Sequence, residues 1–217
     1  MIKAAIFDMD GTITDTEWCN VEFWMKAGKD FGFDVAEEDI LYIRSLEAKK
    51  SAEYLASKYP GFDYYEVREV RRKYMREYVD THGVTAKPGA KELLTYLKGK
   101  GIKTALATAT RFEHAERYMH DLGLYDLFDE LVCTSMVKNG KPAPDVFLYA
   151  CECVGEKPED CMAVEDSPNG IRSASSAGCR TVMVPDLTPA DEEMRSLIVA
   201  EASSLLELRD MVEAGRI

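Results

Sequence analysis

The 217-residue chain has little of what marks several familiar protein classes. Its three histidines, His82, His114 and His120, are too scattered to make a metal-ligand set. Six cysteines are dispersed and none stands in a Cys-x-x-Cys pair, which speaks against a zinc site and against a disulfide scaffold. The nearest two, Cys151 and Cys153, suit a buried helical face. No apolar run approaches the roughly 18 residues of a membrane span, and Asp8 arrives too early for a secretory leader. Positive charge is scarce: 27 basic against 39 acidic residues leave a net charge of -12. That balance argues against general binding to nucleic acid or anionic membranes and leaves room for a local basic pocket. The expectation is a reduced, cytoplasmic protein with neither kind of partner. Its 46% hydrophobic content can bury one large core or two smaller ones.

What is present is concentrated near the start. Ala4-Ala5-Ile6-Phe7 has the length and character of a buried strand, and it runs into Asp8-Met9-Asp10-Gly11-Thr12. Residues i and i+2 of an extended segment share a side, so Asp8 and Asp10 would lie together. Like charges that close need a cation or a proton between them. A metal ligand, a nucleophile or a proton donor are the useful outcomes; a solvated Asp-rich turn is the plain one.

From residue 90 onward helices and strands alternate. Helices are predicted over 90–98, 112–122, 144–154, 168–177 and 204–214, and strands over 104–108, 131–133, 161–165 and 181–184. Ser167-Pro168 reads as a cap followed by a first-turn proline, and Gly178 sits where a helix-ending glycine belongs. Such alternation means a parallel sheet covered on both faces. Residues 16–80 break the rhythm with four successive helices, near 17–31, 37–44, 48–58 and 63–80, and hold 13 of the 21 aromatic residues. They are expected to form an inserted helical lobe overhanging the strand ends. Arg71, Arg72, Lys73 and Arg76 lie among Glu66, Glu69 and Glu77, which predicts a solvated, salt-bridged face rather than a phosphate patch.

Three further features fall at strand ends. Thr108 offers a hydroxyl, with the Ala109 and Thr110 amides beyond it, a natural phosphate seat or an ordinary strand terminus. Lys141, in Gly140-Lys-Pro-Ala-Pro-Asp145, is either a surface charge or a cation held inward over a carboxylate and a phosphate. Glu165-Asp166 precedes a capped helix and suits either its dipole or a hard cation such as magnesium.

Taken in order, Asp-x-Asp-Gly-Thr, Thr108, Lys141-Pro and Glu165-Asp166-Ser-Pro-Asn-Gly resemble the haloacid dehalogenase-like hydrolase superfamily. Within it, Lys-Pro-Ala-Pro-Asp-Val-Phe and Val-Glu-Asp-Ser-Pro-Asn-Gly-Ile look most like the β-phosphoglucomutase-like phosphatases and mutases. The resemblance implies an α/β fold, a three-layer Rossmann-like parallel sheet core over 1–15 and 81–217, with an inserted α-helical cap over 16–80. It implies Asp8 as nucleophile, forming an aspartyl-phosphate, and Asp10 as acid and base. It implies Mg²⁺ held by Asp8, the Asp10 carbonyl, Asp166 and, directly or through water, Glu165. Thr108, the Ala109 amide and Lys141 would hold the phosphoryl oxygens. Arg44, Lys49 and Lys50 of the cap are candidate substrate contacts, or else exposed charges. The dehalogenases of this superfamily lack the second acid of the first motif, so Asp10 favours phosphate-ester cleavage of a small phosphorylated metabolite. The competing reading is a phosphosugar mutase, weakened because Asn20 stands where a mutase histidine is expected. A non-catalytic binding module on the same fold is a third reading.

Overall fold

The computed structural model describes residues 2–217. Its centre is the predicted first strand, β1 (Ala4–Phe7), followed by four helices, α1 (Glu17–Asp30), α2 (Glu37–Ile43), α3 (Ala48–Lys58) and α4 (Tyr64–His82). Then come α5 (Ala90–Gly99), β2 (Lys103–Thr108), α6 (Phe112–Asp121), β3 (Glu130–Cys133), α7 (Asp145–Val154), β4 (Cys161–Glu165), α8 (Pro168–Ser176) and β5 (Arg180–Met183). The chain closes with α9 (Glu192–Leu197), β6 (Ala200–Glu201) and α10 (Leu205–Glu213). Predicted and observed bounds differ by one or two residues, the usual fraying of element ends. Among the labelled elements the sequence reading omits α9 and β6, of six and two residues, too short for a periodic signal. The capping chemistry is as read: the Ser167 hydroxyl accepts from the Gly170 amide at 3.1 Å, Pro168 opens α8, and Gly178 sits at φ 84° just past it.

The six strands form one parallel sheet in the order β3-β2-β1-β4-β5-β6, the three-layer Rossmann-like arrangement. Strand alternation decides which layer each side chain joins. Ala5, Phe7, Leu106, Met162 and Val164 face a core built with Leu93, Leu94 and Leu97 of α5, Met119 of α6 and Leu208 of α10. Their neighbours Ala4, Ile6, Ala105, Ala107 and Ala163 face Val146, Phe147 and Ala150 of α7 and Ala174 of α8. Both sheet faces are thus apolar, as a covered parallel sheet requires. The chain leaves β1 for β2 on one side and returns after β3 to β4 on the other. The crevice beyond the carboxyl ends of β1 and β4 is therefore the switch point where such sheets bind ligands.

Helices α1 to α4 contain no strand and share their own apolar cluster, with Trp24 stacked on Tyr64 at 5.1 Å and Phe33 edge-on to Phe62. Cys19 and Phe23 of α1 and Met75 and Val79 of α4 instead join the core beneath α5. The aromatics of this region do mainly build its packing, although Trp18, Tyr42 and Tyr65 are exposed.

Candidate active site

Asp8 lies one residue past β1, where its amide still donates to the Val164 carbonyl at 3.0 Å. Its carboxylate is buried and accepts a hydrogen bond from Lys141 Nζ. Lys141 reaches in from the loop before α7 and is itself buried. Its ammonium also donates to Glu165 Oε1 at 2.6 Å and to the Ala107 carbonyl at 3.0 Å, so all three protons have acceptors. Phe147 lies under it, ring centroid 5.1 Å from Nζ. Of the two sequence readings for this lysine, the structure has the inward one. Burial opposes its charge, but Asp8 and Glu165 outweigh that and hold its pKa above the usual value.

Glu165 ends β4 and is fully buried. Its second oxygen accepts from the Ser167 hydroxyl at 3.1 Å and from the amides of Asp166 and Ser167 at 3.2 and 3.3 Å. Gly170 packs directly on it; a Cβ at that position would overlap the carboxylate. Gly11, at φ 88°, plays the same part for Asp166: the turn needs a left-handed residue, and a Cβ would strike the Asp166 carboxylate. Asp10 opens onto the same cavity as Asp8. Its two oxygens accept from Thr16 Oγ1 at 2.6 Å and Thr110 Oγ1 at 2.8 Å, which hold the carboxylate in one orientation.

Asp8, Glu165 and Asp166 each offer a carboxylate oxygen within 4.8 Å of the others. Burial, only partly offset by Lys141, raises the Asp8 pKa well above the ordinary range, and burial only partly offset by Arg44 does the same for Asp166. Both Asp166 oxygens are buried without a well-formed hydrogen bond, although Arg44 Nη1 lies 3.1 Å from one of them. Buried carboxylate oxygens left unsatisfied beside two further acids fit a divalent cation, the hard-oxygen donor set magnesium takes. The Asp10 side chain, engaged by its two threonines, is not part of that cluster.

The remaining predicted residues fall in several places. Ala109 lines the cavity, whereas Thr108 is buried below it, its hydroxyl accepting from the Thr110 amide at 3.0 Å. Arg44 is brought in but turned to the protein. It donates to the Asp166 carbonyl at 3.0 Å and to Thr188 Oγ1 at 2.5 Å, and lies 3.8 Å from Glu17. Asn169 Nδ2 donates to the Arg44 and Tyr42 carbonyls at 2.9 and 3.1 Å, fixing the loop after α2. Lys49 and Lys50 are not brought in. They are exposed on the first turn of α3, while Leu46, Glu47 and Ala48 line the cavity. The turn leading into α3, rather than these two side chains, lines the cavity, and of the two readings for the lysines their exposure fits the surface-charge one.

The cavity has a volume of about 440 Å³ and a wall the sequence reading did not assign. Arg68, Arg71 and Arg72 of α4 line it, with Arg111 at the foot of α6. The expectation of a wholly solvated α4 face therefore holds only in part. Arg72 does pair with Glu69 at 2.5 Å and Lys73 with Glu77 at 3.8 Å, but Arg71 turns inward to Asn20 Oδ1 at 2.8 Å. The i, i+3, i+4 spacing of Arg68, Arg71 and Arg72 was the available signal. Glu17, at the first position of α1, was also missed. It is buried beside the cavity, and burial, opposed by Arg44, pushes its pKa up to about 8.

A family model described as haloacid dehalogenase-like hydrolase matches residues 2–178. The chain is 34% identical over 200 residues to a Drosophila melanogaster protein named probable pseudouridine-5'-phosphatase, covering 85% of this chain and 82% of the relative. It is 32% identical over 181 residues to a phosphorylated carbohydrates phosphatase of Thermotoga maritima, covering 83% and 84%. Among solved structures, β-phosphoglucomutase from Clostridium difficile superposes with a TM-score of 0.83 at 25% identity, covering 100% of this chain and 97% of that one.

Proposed function

The chain belongs to the haloacid dehalogenase-like hydrolase family, and from that membership and the site geometry we propose a Mg²⁺-dependent phosphatase that hydrolyses a small phosphorylated metabolite. One observation carries the reading: a buried carboxylate, Asp8, held on one oxygen by Lys141, shares a cavity with a second carboxylate, Asp10, oriented by two threonines. The free Asp8 oxygen attacks phosphorus in line and forms an aspartyl-phosphate as the ester oxygen departs. Asp10 gives the departing oxygen a proton, then takes one from the water that hydrolyses the acyl phosphate, returning both carboxylates to their starting state. Lys141 stays between Asp8 and Glu165 and offsets negative charge developing on the phosphoryl oxygens, joined by the Ala109 amide and Thr108 at the strand end. Asp8, the Asp10 carbonyl and Asp166, with Glu165 beside them, would hold Mg²⁺. Bound there, the cation would offset the repulsion between an anionic nucleophile and an anionic phosphate.

In this reading residues 16–80 act as a cap on a core of 1–15 and 81–217, with Arg44 anchoring the loop after α2 to the Asp166 segment. Closure would exclude water and select the substrate. The mutase reading is the weaker one: relatives sharing 32–34% identity are named phosphatases, and Asn20, engaged with Glu17 at 3.1 Å and with Arg71, cannot exchange protons as a histidine does. Among the described residues no helix is long and apolar enough to cross a membrane. All six cysteines are free, in keeping with a cytoplasmic setting.

The test is phosphate release from an aryl phosphate with Mg²⁺, with EDTA, and with Asp8→Ala. The expected outcome is turnover that EDTA abolishes, Mg²⁺ restores and Asp8→Ala lacks; release unchanged in Asp8→Ala would overturn the reading.

A further inference from the structure

Arg68, Arg71 and Arg72 recur at i, i+3 and i+4 on α4, so they share a face, and that face lines the cavity above Asp8 and Asp10. Arg111 contributes a fourth guanidinium from the α/β side. The four are held with little compensation. Among the described residues only Arg72 has a carboxylate partner, the exposed Glu69; Arg71 has the neutral Asn20 amide, and Arg68 and Arg111 have no ion pair. The Nε atoms of Arg68 and Arg71 are buried without an acceptor. Burial and the like charges of Arg68 and Arg111 depress the Arg72 pKa, outweighing Glu69.

In a chain carrying 39 acidic residues and a net charge of -12, four guanidinium groups in one cavity with a single ion pair among them are not a shortage of carboxylates. Gathered like charges and orphaned donors destabilise a protein unless something anionic fills the space between them. The stems are also held in place: Arg71 lies over the Trp24 ring at 5.5 Å and Arg68 over Tyr64 at 5.2 Å. Guanidinium forks so fixed suit phosphoryl or carboxylate oxygens.

We propose that Arg68, Arg71, Arg72 and Arg111 form a second anion seat, and that the substrate is a phosphomonoester bearing another anionic group, phosphoryl or carboxylate, apart from the phosphate that is cleaved. The proposal rests on the phosphatase reading and narrows it. The cleaved phosphate sits at Asp8 and the second anion on the arginine wall, which together use a cavity of about 440 Å³, within the range of small-molecule sites.

The test uses matched pairs with the full-length protein and Mg²⁺. Fructose 1,6-bisphosphate against fructose 6-phosphate reads a phosphoryl group, and 3-phosphoglycerate against glycerol 3-phosphate reads a carboxylate. In at least one pair the doubly anionic member should have the higher kcat/KM by about tenfold or more, mainly through KM. In Arg68→Gln and Arg111→Gln that ratio should fall toward one. A ratio near one in both pairs, or a ratio indifferent to both substitutions, overturns the proposal. Titration of the same four compounds into Asp10→Asn reads binding without turnover. If the wild-type protein releases no phosphate from any ester, the phosphatase reading fails, and this titration alone decides the anion seat: preference for the doubly anionic member, lost in Arg68→Gln, supports it, and equal affinity sinks it.

Discussion

Replacing Glu17 by glutamine should stabilise the protein, and by an amount that grows with pH. Glu17 opens α1, is buried, and borders the cavity beside Asp10. Burial raises its pKa from the usual 4.5 to about 8, despite Arg44 Nε at 3.8 Å. A carboxyl with a raised folded-state value binds its proton more tightly in the folded protein, so stability is intact below pH 4.5 and is lost as pH climbs toward 8. Linkage puts the penalty at about 1 kcal/mol at pH 5, about 3 at pH 7 and about 5 at pH 9. Glutamine is a neutral isostere that keeps an oxygen for the Asn20 amide, now 3.1 Å from Glu17 Oε2. Removing the ionisable group should therefore recover that penalty. The assay is urea unfolding of both proteins in EDTA at the three pH values. A gain that does not grow with pH, or a net loss at pH 9, would refute the reasoning that burial dominates Arg44 at this position. If the gain is found, Glu17 is a buried acid kept at a cost in stability, the pattern of a residue retained for the site.

Lys141→Met keeps the aliphatic stem over Phe147 but leaves Asp8 and Glu165 facing each other without a cation. Turnover should fall on the order of 10²–10³ and stability by about 3–5 kcal/mol, read by steady-state kinetics and urea unfolding; turnover near wild type would remove Lys141 from the mechanism. Gly170→Ala drives a methyl into the Glu165 carboxylate. It should lower stability by about 1–3 kcal/mol and reduce kcat through the displaced Lys141 partner. An unchanged unfolding midpoint would mean that α8 shifts freely and that Glu165 is not rigidly seated.

Much of the frame was legible along the chain because its signals are local. Apolar runs, helical spacing, Ser167-Pro168 and Gly178 each report on a few neighbouring residues, and they located the main strands and helices to within a residue or two. The strand-end positions of Asp8, Glu165 and Asp166 followed from the same reading, since ends of buried strands in a covered parallel sheet converge on one crevice. Lys141 could be read two ways, because nothing in Gly140-Lys-Pro-Ala-Pro shows which way its stem runs. Only the packing of α7 against β1, β2 and β3 turns it to Asp8 and Glu165.

The sequence by itself determined the sheet, the inserted helices and the acids at the strand ends. The tertiary structure decided what faces them. It turned Arg44 onto Asp166, left Lys49 and Lys50 outside, buried Glu17, and swung the Arg68, Arg71 and Arg72 face of α4 into the cavity. The physical reason is that periodicity records which residues share a helix face, whereas the partner of that face is set by how α4 docks on α1 and over the sheet. A charged face meets water or a cavity with the same local spacing, and only its three-dimensional neighbours tell the two apart.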